Sequence, residues 1–305
     1  MAKTIMLIIN PVAGKGGFRD SISDILESFG TEGFLVTVYM TGYRGHAAEL
    51  VRDYGAGYEI IVCCGGDGTL SETIEGLMGV TNRPPLGYIP MGTANDVAST
   101  LEIPRNPKQA AEIIKAGYTI PFDVGTMSGH YFIYISAFGA FTEVSYQTPA
   151  ESKQTLGHLA YVLEGVGHFG NITPHNVVIE YDEGLIEGEY IFGAVTNTTS
   201  IAGLVKLKSD FVFLGDGKFE VILVKKPNNI LDLNAIFVGI LSQNYNSEYV
   251  QLFKASKVKF TFDEEIRWTR DGEDGGLHRE LVLENIHAPI QFIVPEDNTV
   301  SAGEQ

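Results

Sequence analysis

Apolar and polar residues follow each other in blocks along the first third of the chain. Thr4–Ile9 is a continuous apolar run, which is the pattern of a strand buried on both faces. Similar runs predict further strands at Phe34–Met40, Glu59–Cys64 and Leu86–Pro90. Helical spacing of apolar residues predicts intervening helices at Ile22–Phe29, His46–Tyr54, Thr69–Met78 and Ala94–Thr100. This βαβα order predicts a parallel sheet with helices on both faces.

The pattern changes near Pro121, after which short alternating runs dominate the chain. They predict strands at Phe122–Thr126, Tyr131–Phe138, Asn176–Tyr181, Glu187–Val195, Lys218–Val224, Lys257–Phe262, Leu281–Glu284 and Ala288–Val294. Turn signals such as Asp216-Gly217 separate them, which favours an antiparallel β domain. Two helical patches interrupt it, at Leu156–Phe169 and Ile230–Ser242. A chain of 305 residues is long enough for two such domains.

Composition and charge narrow the classes of partner. A formal net charge of −17 argues against nucleic-acid binding and against broad attraction to anionic membranes. No apolar stretch reaches the roughly 18 residues of a membrane span, and the apolar N-terminal run is too short for a signal peptide. The adjacent Cys63 and Cys64 point to opposite faces of a strand, so a disulfide between them is not expected. These features predict a cytoplasmic protein.

The most informative motif is Gly65-Gly66-Asp67-Gly68-Thr69, directly after the third predicted strand. A glycine-rich turn between strand and helix lets backbone N–H groups converge on phosphate oxygens. Thr69 and Glu72 have the spacing of a capping box. A carboxylate at Asp67 would repel phosphate unless it held a cation such as Mg²⁺ or accepted a proton. The alternative interpretation of Asp67 is a tight turn that favours aspartate.

Two further glycine-bearing loops follow strands of the same predicted sheet. Asn10-Pro11 with Gly14-Lys15-Gly16 follows the first strand, and it lacks the spacing of a Walker A loop. Met91-Gly92-Thr93-Ala94-Asn95-Asp96 follows the fourth, with Thr93 and Asp96 at capping-box spacing. Ligands of such sheets bind beyond the carboxyl ends of the strands. Three loops on one edge therefore predict a triphosphate site.

A fourth motif, Asp271-Gly272-Glu273, places two carboxylates on one late loop. Such a pair can act on the proton of a hydroxyl or hold Mg²⁺. The plainer interpretation is a β-hairpin, in which Asp-Gly is a preferred turn sequence.

Taken together and in this order, the motifs resemble the diacylglycerol kinase catalytic family, which includes sphingosine and ceramide kinases. The resemblance extends over nearly the whole chain, from Asn10-Pro11 through Gly157–Tyr161 and Asp216-Gly217 to the Asp271–Glu273 motif and the closing strand at Phe292–Pro295. Two departures are mild: Ala94-Asn95-Asp96-Val97-Ala98 replaces the usual Gly-Asn-Asp-Phe-Ala, and Phe138-Gly139-Ala140-Phe141 replaces a glycine-rich element.

The resemblance implies the fold. It implies a doubly wound α/β domain like those of NAD kinases and phosphofructokinases at residues 1–120, to which residues 295–305 return. An antiparallel β-sandwich at 121–294 follows, with the active site in the cleft between the two domains.

The resemblance also implies roles for individual residues. Asp67 would organise the catalytic Mg²⁺, Asp271 would act as base or orient the acceptor hydroxyl, and Glu273 would support it. Asp216 would bind a structural Mg²⁺ with the backbone carbonyls of Phe213 and Lys218, whereas a plain Asp-Gly hairpin is the alternative. The implied nucleotide-binding residues are Asn10, Lys15, Thr41, Gly65, Gly66, Gly68, Thr69, Glu72, Gly92, Thr93 and Asn95.

The sequence thus predicts an ATP- and Mg²⁺-dependent lipid kinase, with diacylglycerol as the foremost acceptor and phosphatidic acid as the product. The lipid would be met at a membrane surface through transient peripheral contact, and a homodimer is an open alternative to a monomer. Two other functions stay open: a kinase for a soluble acceptor such as NAD, and a regulator that binds nucleotide or lipid without turnover. The identity of the lipid, the occupancy of the structural metal site and the strength of membrane association are left open.

Overall fold

The structure is a computed structural model, which describes residues 2–14, 18–140, 173–201, 205–207, 212–243, 245 and 247–298. The chain divides into two compact units. The first unit comprises Met1–Val124, Phe213–Asp216 and His287–Gln305. The second unit comprises Gly125–Val212 and Gly217–Ile286. The predicted helix at 156–169 and the motif at 157–161 lie outside the described residues.

The first unit is built on a parallel sheet. Its strands are β1 (Thr4–Ile9), β2 (Leu35–Met40), β3 (Ile60–Gly65) and β4 (Leu86–Pro90), in the spatial order β2-β1-β3-β4. All three neighbouring pairs are parallel, as the sequence predicts. β1 and β3 are buried almost throughout, because helices cover the sheet.

Five helices accompany this sheet. They are α1 (Phe18–Thr31), α2 (His46–Tyr54), α3 (Asp67–Met78), α4 (Asp96–Thr100) and α5 (Pro107–Ala116), with a 3₁₀ turn at Gly55–Gly57 after α2. The chain moves in opposite directions across the sheet from β1 to β2 and from β2 to β3. Since such crossovers are right-handed, α1 lies on one face while α2 and α3 lie on the other. α1 and α5 pack together, as do α2 and α3.

The end of the chain returns to the first unit. Phe292, near the end of β15 (Glu273–Ile293), pairs in parallel with Leu86 of β4. Beyond that strand, the Asn298 side chain is buried and donates a hydrogen bond to the Leu101 carbonyl at 2.7 Å.

The second unit consists mainly of antiparallel strands. Its elements are β5 (Thr119–Met127), β6 (His130–Phe132), β7 (Ile135–Gly139), β8 (His175–Tyr181), β9 (Gly184–Thr196), β10 (Ser200–Ile201), β11 (Val205–Lys206), β12 (Phe219–Lys225), α6 (Ile230–Leu241), β13 (Val250–Ala255), β14 (Lys257–Arg270) and β15. β5 and β15 contribute residues to both units. The long strands β9 and β14 each pair with both β7 and β8. A cluster that includes Phe138, Phe260, Phe262 and Trp268 fills the core.

Three strand predictions need correction. The run predicted as Tyr131–Phe138 is two strands, β6 and β7, because the backbone N–H groups between them bind a side chain rather than a neighbouring strand. The two strands predicted at 281–284 and 288–294 belong to one long strand, β15. The sequence-based prediction also missed β13 and the helix α5.

Candidate active site

Three loops converge at the carboxyl ends of β1, β3 and β4. The Met91 N–H donates to the Gly65 carbonyl at 2.7 Å, which fixes the loop after β4 to the end of β3. A Cβ built on Gly66 would lie 3.1 Å from the Cα of Gly92, and one on Gly14 would lie 2.3 Å from the Met91 carbonyl oxygen. The three predicted loops therefore share one edge of the sheet and touch through their backbones.

A side-chain hydrogen bond joins the loop after β1 to the start of α3, which follows β3. The Asn10 amide donates to the Thr69 hydroxyl at 2.9 Å, and its oxygen accepts from the Val12 N–H at 3.1 Å. Thr69 is buried in the first turn of α3. The helix begins at Asp67, two residues earlier than the spacing predicts. Because the first N–H groups of a helix have no intrahelical acceptor, this turn has the geometry of an anion-binding site.

Glu72 does not form the predicted capping box with Thr69. Its carboxylate accepts from the N–H groups of Gly45 at 2.8 Å and Ala47 at 3.3 Å, so it caps the start of α2. This places Glu72 beneath the loop that follows β2. In that loop, the Thr41 N–H donates to the Ile9 carbonyl at 2.8 Å and so lies beside the end of β1. Contact of Thr41 and Glu72 with nucleotide stays a prediction.

Asn95 holds the loop after β4 in its shape. It adopts a left-handed conformation with φ of 54° and is buried. Its side chain accepts from the Gly92 N–H at 2.9 Å and donates to the Gly92 carbonyl at 2.8 Å. The predicted capping box of Thr93 and Asp96 is absent, since Asn95 is the N-cap and makes no capping bond from its side chain. Thr93 is exposed at the edge of the sheet.

Asp67 connects the start of α3 with the start of α4. Its carboxylate accepts from the N–H groups of Asp96 at 3.2 Å and Val97 at 3.4 Å. Burial raises the pKa of the Asp67 carboxyl above its usual value of 3.8, although these backbone donors oppose the shift. A half-buried carboxylate that is costly to ionise would gain from a nearby cation. Its oxygen donors are also the kind that Mg²⁺ prefers, so Asp67 fits the predicted metal role.

The Asp271–Glu273 motif forms a two-residue hairpin between β14 and β15, as the plainer interpretation expects. Arg270 pairs with Glu273, and both Asp271 (φ of 48°) and Gly272 (φ of 78°) are left-handed, as a type I′ turn requires. The buried Asp271 carboxylate accepts from the N–H groups of Ile133 at 2.8 Å, Tyr134 at 3.1 Å and Ile135 at 3.2 Å. These contacts were missed by sequence reasoning, because nothing in residues 133–135 marks them.

Three donors use most of the hydrogen-bonding capacity of the Asp271 carboxylate, since a carboxylate offers about four lone-pair sites. The arrangement holds Asp271 in one orientation. Glu273 is half-buried at the start of β15, while the neighbouring Asp274 is exposed and forms an ion pair with Arg267 at 2.8 Å. The hairpin thus presents carboxylates in different surroundings.

The remaining predicted residues are those of the structural Mg²⁺ site, together with Lys15. Asp216 is exposed, and Phe213 and Lys218 are partly buried. Among the described residues there is no group of three or more His, Cys, Asp or Glu side chains that could hold a metal ion. The structural Mg²⁺ site, which would use two backbone carbonyls, stays a prediction. Lys15 lies outside the described residues.

The first unit is a parallel α/β unit whose loops after β1, β3 and β4 are suited to bind phosphate. The second unit is antiparallel and carries an acidic hairpin. Together they are the features of a phosphotransferase. Residues 4–127 match the diacylglycerol kinase catalytic domain. The diacylglycerol kinase of Bacillus subtilis (strain 168) is 34% identical over 298 residues, covering 97% of each chain. That of Staphylococcus saprophyticus is 34% identical over 300 residues, again covering 97% of each.

A crystal structure from Bacillus anthracis str. Sterne superposes with a TM-score of 0.83 at 26% identity, covering 96% of this chain and 97% of that one. The chain belongs to the diacylglycerol kinase family. The prediction of an ATP-dependent lipid kinase with a mixed α/β fold is confirmed. In the part of the chain that the structure describes, no helix has the length and hydropathy needed to cross a membrane.

Proposed function

We propose that the protein transfers the γ-phosphoryl group of ATP to the free hydroxyl of diacylglycerol and so forms phosphatidic acid. Relatives that this chain matches over 97% of both lengths carry the name diacylglycerol kinase. The observation that carries the nucleotide half of the proposal is the contact between the loops after β1, β3 and β4, with Asp67 at their junction.

The nucleotide phosphates would lie over the first turn of α3. The backbone N–H groups of Gly66, Gly68 and Thr69 would donate to phosphate oxygens, since glycine leaves the backbone open to a close ligand. Gly68 supports this role, because nothing lies within 4 Å of a Cβ built on it. The proposed nucleotide site is completed by the other residues that the motifs indicate: Asn10, Lys15, Thr41, Gly65, Glu72, Gly92, Thr93 and Asn95.

Asp67 would hold Mg²⁺ against the triphosphate. The ion would supply neutralisation of the charge on the β- and γ-phosphates. The protein's own part is to present one carboxylate that is oriented by the N–H groups of Asp96 and Val97. Phosphotransfer requires mainly positioning and charge neutralisation from the protein, which is what a rigid loop junction offers.

The acceptor hydroxyl would meet the Asp271–Glu273 hairpin. With three backbone donors on its carboxylate, Asp271 is better suited to orient the hydroxyl than to remove its proton early in the reaction. Glu273 would support it or share in the proton transfer. In this proposal, Asp271 and Glu273 are the two carboxylates that act on the acceptor hydroxyl.

The proposal also covers the two-domain architecture, the structural metal site, the cellular location and the partners. The protein would consist of a doubly wound nucleotide-binding domain (1–120 with 295–305) and a β-sandwich domain (121–294). Asp216 would hold a structural Mg²⁺ with the carbonyls of Phe213 and Lys218. The enzyme would be cytoplasmic, would touch the membrane only transiently, would not bind nucleic acid, and could act as a homodimer.

The test is release of ADP from Mg-ATP in detergent micelles that contain diacylglycerol, ceramide, sphingosine, NAD or no acceptor. Release stimulated by diacylglycerol alone is the expected outcome. Stimulation by another lipid would replace the acceptor but keep the reaction class. Stimulation by NAD alone would contradict the proposal.

A further inference from the structure

Thr196, the last residue of β9, is fully buried in the second unit and donates a hydrogen bond to the backbone. Its hydroxyl lies 2.6 Å from the carbonyl oxygen of Tyr134. The N–H of Asn197 donates to the same oxygen at 3.0 Å. The Tyr134 carbonyl therefore has two donors, one from a side chain and one from the backbone.

The Tyr134 carbonyl and the Ile135 N–H belong to one planar peptide group. At its other end, this peptide donates from the Ile135 N–H to Asp271 Oδ1 at 3.2 Å. A donor on the carbonyl polarises the peptide group and strengthens its N–H as a donor, because hydrogen bonds in a chain reinforce one another. The Thr196 hydroxyl thus reaches the Asp271 carboxylate through a single rigid unit.

The strand register fixes this connection. Thr196 is paired with Ile135 across the antiparallel β9 and β7 strands. The Asp271 N–H in turn donates to the Ile135 carbonyl at 2.8 Å. Ile135 is therefore bound on both sides, by Thr196 through the strand pair and by Asp271 through its backbone and its carboxylate.

We propose that Thr196 is a positioning residue of the phosphotransfer reaction and that it acts on Asp271 through the Tyr134–Ile135 peptide. The inference rests on the proposed role of Asp271 at the acceptor hydroxyl. Because Thr196 is fully buried, its side chain affects the substrate only through the groups it holds. Its hydroxyl is the functional part, because it makes the hydrogen bond to the Tyr134 carbonyl.

The test compares Thr196→Val, which removes the hydroxyl at nearly constant shape, with Thr196→Ser, which keeps it. We expect Thr196→Val to lower kcat by about 3–10-fold, the effect of losing one hydrogen bond, with an unchanged KM for ATP. Thr196→Ser should restore most of the loss. Thr126→Val is the matched control, because Thr126 also donates its hydroxyl to a backbone carbonyl of the second unit, that of Glu284 at 3.3 Å.

An NMR measurement separates positioning from general stability. In Thr196→Val the amide proton of Ile135 should shift upfield as its hydrogen bond to Asp271 weakens, whereas in Thr196→Ser it should not. The Tyr134 carbonyl keeps its bond from Asn197 in either variant, so no polar group is orphaned and folding is expected. If Thr196→Val does not fold, Thr196→Ala removes the same hydroxyl and carries the same expected loss.

Each outcome decides the inference. Wild-type kcat in Thr196→Val, or an equal loss in Thr196→Ser, would overturn it. Asp271→Asn distinguishes this failure from failure of the proposed function. A strong loss in Asp271→Asn beside an unaffected Thr196→Val rejects only the role of Thr196. Near-normal turnover in Asp271→Asn removes Asp271 from the reaction, and the inference with it.

Discussion

Gly66 and Gly92 meet backbone to backbone, with no room for a side chain on Gly92. A Cβ built on Gly92 would lie 2.6 Å from the Gly66 Cα and 2.8 Å from the Asn95 side-chain oxygen. Each glycine follows a strand of the parallel sheet, Gly66 after β3 and Gly92 after β4. Their contact sets the distance between the first turns of α3 and α4, where the Asp67 carboxylate lies.

Replacing Gly92 by alanine should disrupt this junction. The new methyl group would have to push against backbone, which cannot give way as a flexible side chain can, and such overpacking costs about 1–3 kcal/mol. We expect a lower Tm together with a raised KM for ATP. Gly30→Ala in α1 is the control, since nothing lies within 4 Å of a Cβ at that position. An unchanged KM for ATP in Gly92→Ala would show that the junction does not shape the nucleotide site.

Glu72→Gln tests the capping of α2. Glutamine retains one acceptor oxygen, so one of the two bonds to Gly45 and Ala47 should be lost along with the charge that favours a helix start. We expect a loss of about 1 kcal/mol in the free energy of unfolding, as for other N-terminal caps. Chemical denaturation measures it. Glu75→Gln, an exposed position on the same helix, should change stability little, and equal losses in both variants would reject the capping role.

Much of the fold follows from local sequence patterns, and one helix that the sequence-based prediction missed, α5, was predictable. The helix α5 carries clear local signals: Asn106 accepts from the N–H groups of Lys108 and Gln109, Pro107 occupies the first turn, and Gly117 ends the helix with φ of 75°. A cap, a first-turn proline and a terminal glycine are readable from sequence. The strands of the parallel sheet were predictable because continuous apolar runs mark strands buried on both faces.

The contacts that shape the site were harder to predict, because they join residues far apart in the sequence. Glu72 has the local spacing of a partner for Thr69, yet it binds Gly45 and Ala47 across the α2–α3 pair. Asp271 likewise binds N–H groups at 133–135, more than a hundred residues earlier. A capping box is a local propensity, and tertiary packing overrides it where the start of a neighbouring helix lacks another acceptor.

Asp67→Asn should separate activity from stability. The folded-state pKa of Asp67 is raised by burial above its unfolded value of 3.8. The folded protein therefore binds more protons than the unfolded chain between these two pKa values, and stability falls as pH rises through that window. At pH 7 the ionised carboxylate thus opposes folding. We expect Asp67→Asn to keep or raise the Tm at pH 7 while turnover falls by about 10²-fold or more, as for loss of a transition-state charge stabiliser.

The pH dependence provides the check on this prediction. The Tm difference between Asp67→Asn and wild type should shrink as pH falls through the raised folded-state pKa and below the unfolded value of 3.8, where Asp67 is protonated in both states. The exposed Asp53 on α2 gives a matched Asp53→Asn control, which should leave turnover unchanged. A large drop in Tm for Asp67→Asn at pH 7 would mean that the bonds to Asp96 and Val97 outweigh the burial of the charge.

The two carboxylates of the hairpin should respond differently to loss of charge. In Asp271→Asn the amide NH₂ group would face backbone N–H groups, leaving at least one buried donor unpaired, which costs about 1–3 kcal/mol. Turnover should fall by about 10²–10⁴-fold. Glu273→Gln, at a half-buried position, should lower turnover without this loss of stability, and Asp274→Asn should affect neither. Thermal unfolding and single-turnover kinetics measure both effects, and equal destabilisation by Asp271→Asn and Glu273→Gln would contradict the distinction.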